Sequence, residues 1–195
     1  MDIISQKTEG NNMKLLLSLL AMSSIMWAAP TKESVTLGGT KTALTGTAIN
    51  VGDNAPSVTL LNGELKPFTV GGKSKNTQLL VVVPSIDTPI CDFEARTFNE
   101  KAAEHTDVNI YVVSMDLPFA SKRYCAAHGI DRINVLSDFQ TKAFGKAYGM
   151  LINEGPLKGI LARAIYVIKD GKVTYKQLVP EIKQKPDFKA VLNAL

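Results

Sequence analysis

Residues 79–96 read LLVVVPSIDTPICDFEAR, and this stretch decides the fold. It opens with five consecutive leucines and valines (residues 79–83), a run typical of a strand covered on both faces of an α/β sheet. Pro84 ends the run. Apolar residues then recur among charged ones through residues 92–103 with the period of an amphipathic helix, whose apolar face is formed by Phe93, Phe98, Ala102 and Ala103. The stretch therefore predicts a strand, a tight turn and a helix, with Cys91 near the first turn of that helix.

The position of Cys91 has a chemical consequence. The unpaired amide groups and the macrodipole at a helix N-terminus favour negative charge, and so stabilise a thiolate over a thiol. A thiolate is a nucleophile, whereas a thiol is not. The alternative interpretation is that Cys91 is a small buried hydrophobic residue, which is the usual role of cysteine in a core.

A second apolar run at residues 108–115 completes a β-α-β unit, whose two strands should be parallel with a right-handed crossover. Asp116-Leu117-Pro118 then opens a helix over residues 119–127, which carries Cys125 and ends at Gly129. The order of elements favours a mixed sheet flanked by helices. The further predicted elements are a hairpin at 35–49 turning at Gly38-Gly39, strands at 58–61 and 134–137, a short helix at 143–149, a strand at 161–168, a turn at Asp170-Gly171, a strand at 173–178 and a helix at 186–195.

Arg163 interrupts the otherwise apolar run at residues 161–168. Burial of an unpartnered charge disfavours folding by several kcal/mol, so an anionic group should face the guanidinium. A thiolate would suit its fixed, permanently charged fork. The alternative is an arginine at the end of the strand that reaches solvent or pairs with a carboxylate.

Pro84, Thr88 and Cys91 together form Pro-x-x-x-Thr-x-x-Cys, which resembles the peroxiredoxin motif and its thiol peroxidase branch in particular. The resemblance extends over residues 35–195 and implies a thioredoxin-like α/β fold, a central mixed sheet flanked by helices with an N-terminal β-hairpin. It makes Cys91 the peroxidatic cysteine. Thr88 would then hydrogen-bond the peroxide and orient the sulfur, and Pro84 would shield the pocket from water.

Two further segments resemble the same branch. Asp-Leu-Pro-Phe-Ala-x-Lys-Arg-Tyr-Cys, ending at Cys125, is similar to the segment that carries the resolving cysteine. Leu-Ala-Arg-Ala, around Arg163, gives that arginine the role of activating Cys91. In this family the sulfenic acid formed on Cys91 would condense with Cys125 into an intramolecular disulfide.

The resemblance implies an enzyme, a thiol-dependent peroxidase acting on hydrogen peroxide and on alkyl or lipid hydroperoxides. Thioredoxin or another dithiol protein would recycle it, no cofactor would be needed, and the chain would form a homodimer. One alternative is a thioredoxin-like exchange protein, but such proteins carry Cys-x-x-Cys, and Thr88 stands where the first cysteine would be. Another is a non-enzymatic exported module in which Cys91 and Cys125 form a static disulfide.

Composition excludes other classes of function. The net charge is +4, but the lysines are dispersed, and no arginine-aromatic stripe indicates a nucleic-acid groove. Cys91 and Cys125 are 34 residues apart with no histidine pair nearby, so no metal site is expected. His105 and His128 are predicted to be surface or helix-end residues without a catalytic role.

The N-terminal segment has the layout of a secretory signal: Lys14, an apolar run interrupted by serines, and then Ala28-Ala29-Pro30. We therefore expect residues 1–29 to be a targeting segment, translation to start at Met13, and residues 30–195 to form the thioredoxin-like domain. The run is too short for a stable membrane span. The expected location is periplasmic or otherwise exported. A retained hydrophobic tail on a cytoplasmic protein is the alternative.

Overall fold

The computed structural model describes residues 33–195, so the predicted targeting segment lies outside the described residues. The described chain alternates short strands and helices, as the sequence predicts. The strands are β1 (Ser34–Leu37), β2 (Thr40–Thr45), β3 (Val58–Leu61), β4 (Pro67–Val70), β5 (Thr77–Val82), β6 (Val108–Ser114), β7 (Asn134–Ser137), β8 (Leu151–Ile152), β9 (Ala164–Lys169) and β10 (Lys172–Leu178). The helices are α1 (Pro89–Lys101), α2 (Pro118–His128), α3 (Ala143–Ala147) and α4 (Phe188–Ala194).

Seven strands form one mixed sheet in the order β10-β9-β5-β6-β7-β3-β4. β5, β6 and β7 are parallel to one another, and the remaining neighbours are antiparallel. The predicted β-α-β unit is therefore confirmed as β5-α1-β6. The predicted hairpin at Asp170-Gly171 is confirmed too. Both turn residues have positive φ, 51° and 78°, as a two-residue hairpin turn requires.

The central strand β5 is buried on both faces, as its continuous apolar run predicts. Leu80 and Val82 point into a cluster with α3 and the N-terminal hairpin. Leu79 and Val81 alternate to the opposite face and pack with α1, α2 and α4. Each face of the sheet is thus covered by helices, and α1 lies directly beyond the carboxyl end of β5.

The predicted N-terminal hairpin is present as β1 and β2, with Gly38 and Gly39 at positive φ in its turn. It does not extend the large sheet. Instead it pairs with the two-residue strand β8 in a separate three-stranded sheet, and buries Val35 and Leu44 against the core. The hairpin thereby covers one end of the sheet near the start of α1.

Two predicted boundaries are wrong in a way that bears on the site. Helix α1 begins at Pro89, earlier than the predicted residue 92, because Pro is favoured at the first helical position. Strand β9 begins at Ala164, whereas residue 161 was predicted, so Arg163 directly precedes the strand. No helix within residues 33–195 has the length and apolar character that crossing a bilayer requires.

Candidate active site

The first turn of α1 is built around Thr88 and Cys91. Thr88 is the N-cap, and its hydroxyl oxygen accepts a hydrogen bond from the Cys91 amide at 3.4 Å. The same hydroxyl donates to the Cys91 sulfur at 2.8 Å. Cys91 therefore lies in the first turn, as predicted, and its side chain has no solvent-exposed surface.

Arg163 supplies a second donor to the same sulfur. Its Nη1 lies 3.3 Å from Cys91 Sγ, and its Nε donates to the carbonyl oxygen of Ile182 at 3.1 Å. β9 pairs with β5, so the residue before β9 lies at the end of the sheet where α1 begins. A hydroxyl and a guanidinium thus both donate to one sulfur, an arrangement that stabilises a thiolate.

Glu94 completes the group and was missed by the sequence analysis. Its Oε2 pairs with Nη1 of Arg163, and neither side chain is more than 2% exposed. The carboxylate partner that the sequence analysis gave as an alternative for Arg163 is therefore present, and the cysteine sulfur lies beside the same guanidinium. The sequence carries a signal for Glu94. It lies three residues after Cys91, on the helix face that Ala95 and Phe98 bury, where an acid demands a partner.

Burial raises the pKa of Glu94 to about 7, because desolvation of the carboxylate outweighs the attraction of the Arg163 guanidinium. Its second oxygen, Oε1, has no hydrogen-bond partner within the described part of the chain. The Glu94 carboxyl group therefore changes charge near neutral pH, one helical turn from the sulfur.

The turn between β5 and α1 is fixed by Asp116, which follows β6. Its carboxylate accepts hydrogen bonds from the Ser85 hydroxyl and the Ile86 amide, both at 2.8 Å. Ser114 donates to the same carboxylate at 2.7 Å. The sequence analysis used Asp116 only to mark the start of a helix, since a contact 30 residues distant leaves no periodic signal. This carboxylate links the turn before Cys91 to the loop before α2.

A largely apolar cavity of about 520 Å³ lies in front of this group. Three predicted site residues, Pro84, Thr88 and Arg163, reach its wall, whereas Cys91 lies behind them. Leu157, from the glycine- and proline-rich segment at residues 153–159, also lines the cavity. The remaining lining residues are Leu37, Ser85, Pro89, Ile90, Ile160, Ile182 and Lys183. A small molecule entering the cavity meets Thr88 and Arg163 before it reaches the sulfur.

Cys125 lies on α2, as predicted, and is a free thiol, as is Cys91. It lines a separate cavity of about 250 Å³ that shares no residue with the one beside Thr88. Burial, reinforced by the nearby Glu64 carboxylate, raises the pKa of Cys125 to about 11. In this structure Cys125 is therefore protonated at neutral pH and unbonded to Cys91.

Arg96 and the two histidines lie outside the site. Arg96 is half exposed and forms an ion pair with Asp92 at 2.7 Å, and His128 ends α2 with 40% of its side chain exposed. His105 lies in the turn after α1. Within residues 33–195, no three His, Cys, Asp or Glu side chains gather as a metal ion would require.

The fold and the site together define a class. A buried cysteine at the first turn of a helix, placed by a central β-α-β unit and flanked by a hydroxyl and a guanidinium, is the arrangement of a thiol-based redox enzyme with a thioredoxin-like fold.

Comparison with known proteins gives the family. A family model described as Redoxin matches residues 50–192. A thiol peroxidase of Campylobacter jejuni is 50% identical over 154 residues, which cover 79% of this chain and 87% of that protein. A thiol peroxidase of Aquifex aeolicus is 47% identical over 162 residues, 83% of this chain and 95% of that protein. A solved peroxiredoxin-like protein from Aquifex aeolicus matches with a TM-score of 0.79 at 46% identity, over 82% of this chain and 94% of that chain.

The chain therefore belongs to the redoxin family, within its thiol peroxidase branch. It is a thiol-dependent peroxidase, an oxidoreductase that acts on peroxide. The thioredoxin-like fold implied by the motif in residues 84–91 is confirmed.

Proposed function

We propose that Cys91 is the nucleophile of this peroxidase. The observation that carries the proposal is the convergence of two donors, Thr88 Oγ1 at 2.8 Å and Arg163 Nη1 at 3.3 Å, on one buried sulfur. The thiolate attacks one oxygen of the hydroperoxide, the O–O bond breaks, and water or an alcohol leaves. Cys91 becomes a sulfenic acid.

Arg163 stabilises the leaving oxygen. Its Nε and Nη1 are occupied by Ile182, Cys91 and Glu94, whereas its Nη2 has no acceptor within residues 33–195. Arg163 lines the cavity, so Nη2 is available to donate to a peroxide oxygen. Pre-placed donors of this kind act on charge as it develops in the transition state. Thr88 orients the sulfur, and Pro84 keeps water from the cavity wall.

Cys125 resolves the sulfenic acid. Its thiol sulfur attacks Cys91, the S–OH bond breaks, water leaves and an intramolecular disulfide forms. A disulfide needs Cα atoms within about 7 Å. Here the two thiols are unbonded, with Cys91 fully buried and Cys125 bordering a separate cavity. The first turn of α1 and the helix α2 must therefore open locally after oxidation. Thioredoxin or another dithiol protein then reduces the disulfide by exchange.

Two variants test this assignment. Cys91→Ser should abolish hydroperoxide consumption, whereas Cys125→Ser should still reduce one equivalent and then stop, without an intramolecular disulfide. Both are measured as peroxide consumed per protein, with intact-mass analysis of the product. Hydroperoxide turnover at the parent's rate in Cys91→Ser would overturn the proposal.

The cavity supports organic hydroperoxides as substrates alongside hydrogen peroxide. Its wall is formed mainly by apolar side chains, among them Leu37, Leu157, Ile160 and Ile182. Such a wall gains free energy by covering an alkyl group, which hydrogen peroxide lacks. Ratios of kcat/KM for cumene hydroperoxide and hydrogen peroxide measure this preference. A ratio below one would contradict it.

The sequence supports two further proposals. The chain is exported with residues 1–29 as its signal, which rests on the apolar run after Lys14, and its dithiol donor would then have to share that compartment. The enzyme forms a homodimer, which rests on the family resemblance. Cell fractionation with N-terminal sequencing tests the first, and light scattering of the purified protein tests the second.

A further inference from the structure

The residues next to the two cysteines are bonded to each other across α1 and α2. Asp92 follows Cys91, and Tyr124 precedes Cys125. The Tyr124 hydroxyl donates to Asp92 Oδ1 at 2.8 Å. Burial and the Asp92 carboxylate raise the pKa of Tyr124 above its usual range, so the hydroxyl keeps its proton and remains a donor.

Asp92 is the focus of the polar contacts between the two helices. His128 Nδ1 of α2 lies 3.5 Å from Asp92 Oδ1, and the His128 ring stacks on Tyr124 with centroids 4.5 Å apart. Arg96 holds the other carboxylate oxygen at 2.7 Å. Within the described part of the chain, every side-chain hydrogen bond or ion pair that joins α1 to α2 ends on Asp92.

We propose that the Tyr124 hydroxyl is a positioning group that holds the first turn of α1 against α2 and limits how fast the oxidised enzyme opens to form its disulfide. The inference rests on the proposed role of Cys125. Moving the cysteines together displaces the backbone at Asp92 and Tyr124, which breaks this hydrogen bond before the disulfide can form.

Disulfide formation competes with a second oxidation of Cys91. While the helices stay together, the Cys91 sulfenic acid can react with a second hydroperoxide, which transfers one oxygen to the sulfur and leaves as water or alcohol. The product is a sulfinic acid. When the helices open, Cys125 instead displaces water and forms the disulfide. The strength of the Tyr124–Asp92 bond therefore sets the partition of oxidised Cys91 between the two products.

Tyr124→Phe tests the proposal because it removes the hydroxyl and keeps the buried ring. The prereduced full chain is treated with increasing hydrogen peroxide without a recycling reductant, and disulfide and sulfinic acid are quantified by intact mass. The partition does not depend on how fast the sulfenic acid forms. We expect the disulfide to be favoured by about three- to tenfold over the parent, the factor that loss of one ordinary hydrogen bond predicts. Amide exchange in the first turn of α1 should also be faster.

Tyr175→Phe is the matched control, since the hydroxyl of Tyr175 on β10 makes no hydrogen bond within the described residues. It should leave the partition unchanged. If Tyr124→Phe forms the disulfide but keeps the parent's partition, or only lowers the melting temperature, the inference is wrong and the role of Cys125 stands. If no Cys91–Cys125 disulfide forms in the parent, the proposed resolution step fails, and the inference fails with it.

Discussion

Replacing Glu94 with glutamine should change the pH dependence of stability. Glutamine keeps an oxygen that accepts from Arg163 but cannot ionise. In the parent, burial raises the pKa of Glu94 from 4.5 to about 7. Between these values the folded protein binds more protons than the unfolded chain, so stability falls as pH rises. The contribution of Glu94 is fully present below 4.5 and is lost as pH rises through about 7.

The size of the effect follows from that rise. One pKa unit corresponds to about 1.36 kcal/mol, so the parent should lose about 3 kcal/mol of unfolding free energy across the window. Glu94→Gln should lack this slope. Burial also raises the pKa of Asp138, with the same sign, but Asp138 is common to both proteins and cancels in their difference.

The assay is equilibrium urea unfolding, followed by circular dichroism at several pH values with reductant present. Glu100→Gln, an exposed glutamate on the same helix, is the control and should parallel the parent. Parallel curves for parent and Glu94→Gln would refute the reasoning. If the unfolding free energy of the parent instead rises relative to that of the variant as the pH rises, the attraction of Arg163 lowers the pKa of Glu94 more than burial raises it.

Three other perturbations follow from the site. Arg163→Lys should lower kcat/KM for hydroperoxide roughly a hundredfold, because one ammonium cannot replace the donors at Nε, Nη1 and Nη2. Steady-state assays measure this, with Arg132→Lys at an exposed position as the control. Ile160→Phe should lower kcat/KM for cumene hydroperoxide about tenfold and change that for hydrogen peroxide little, since only the bulky substrate needs the cavity. In Cys91→Ser, the rate at which iodoacetamide labels Cys125 should keep rising as the pH is raised well above the ordinary cysteine pKa of about 8.5. A labelling rate that levels off near that pH would contradict a raised pKa of Cys125.

Elements with a strong local signal were predictable. The leucine and valine run of β5, the glycine that ends α2 and the turn at Asp170-Gly171 each follow from the preferences of a few adjacent residues. Gly129, for example, has φ 63° and caps α2 in the left-handed region that glycine favours. Strands β4 and β8 were missed because their signals are weak. β4 is a four-residue edge strand that begins with proline, and β8 has only two residues.

The more consequential error concerned which face of α1 is buried. The sequence analysis placed Phe93 on the buried face, where the structure has Cys91, Glu94, Ala95 and Phe98. Phe93 is 39% exposed and packs against Phe188, with Lys185 over its ring. Phe93 thus lies on the outer face of α1, where residues nearly a hundred positions later in the chain cover its ring. With Phe93 placed on the buried face, Glu94 was taken to be exposed, and an exposed acid needs no partner.

The requirement of Arg163 for an anion was predictable, and its consequence becomes clear only with Glu94 in place. One nitrogen, Nη1, donates both to the Cys91 sulfur and to the Glu94 carboxylate, so the two acceptors share one cation. Burial favours the protonated form of Glu94. A protonated Glu94 leaves more of the guanidinium charge for the Cys91 sulfur. The buried acid can therefore hold Arg163 in position without neutralising it.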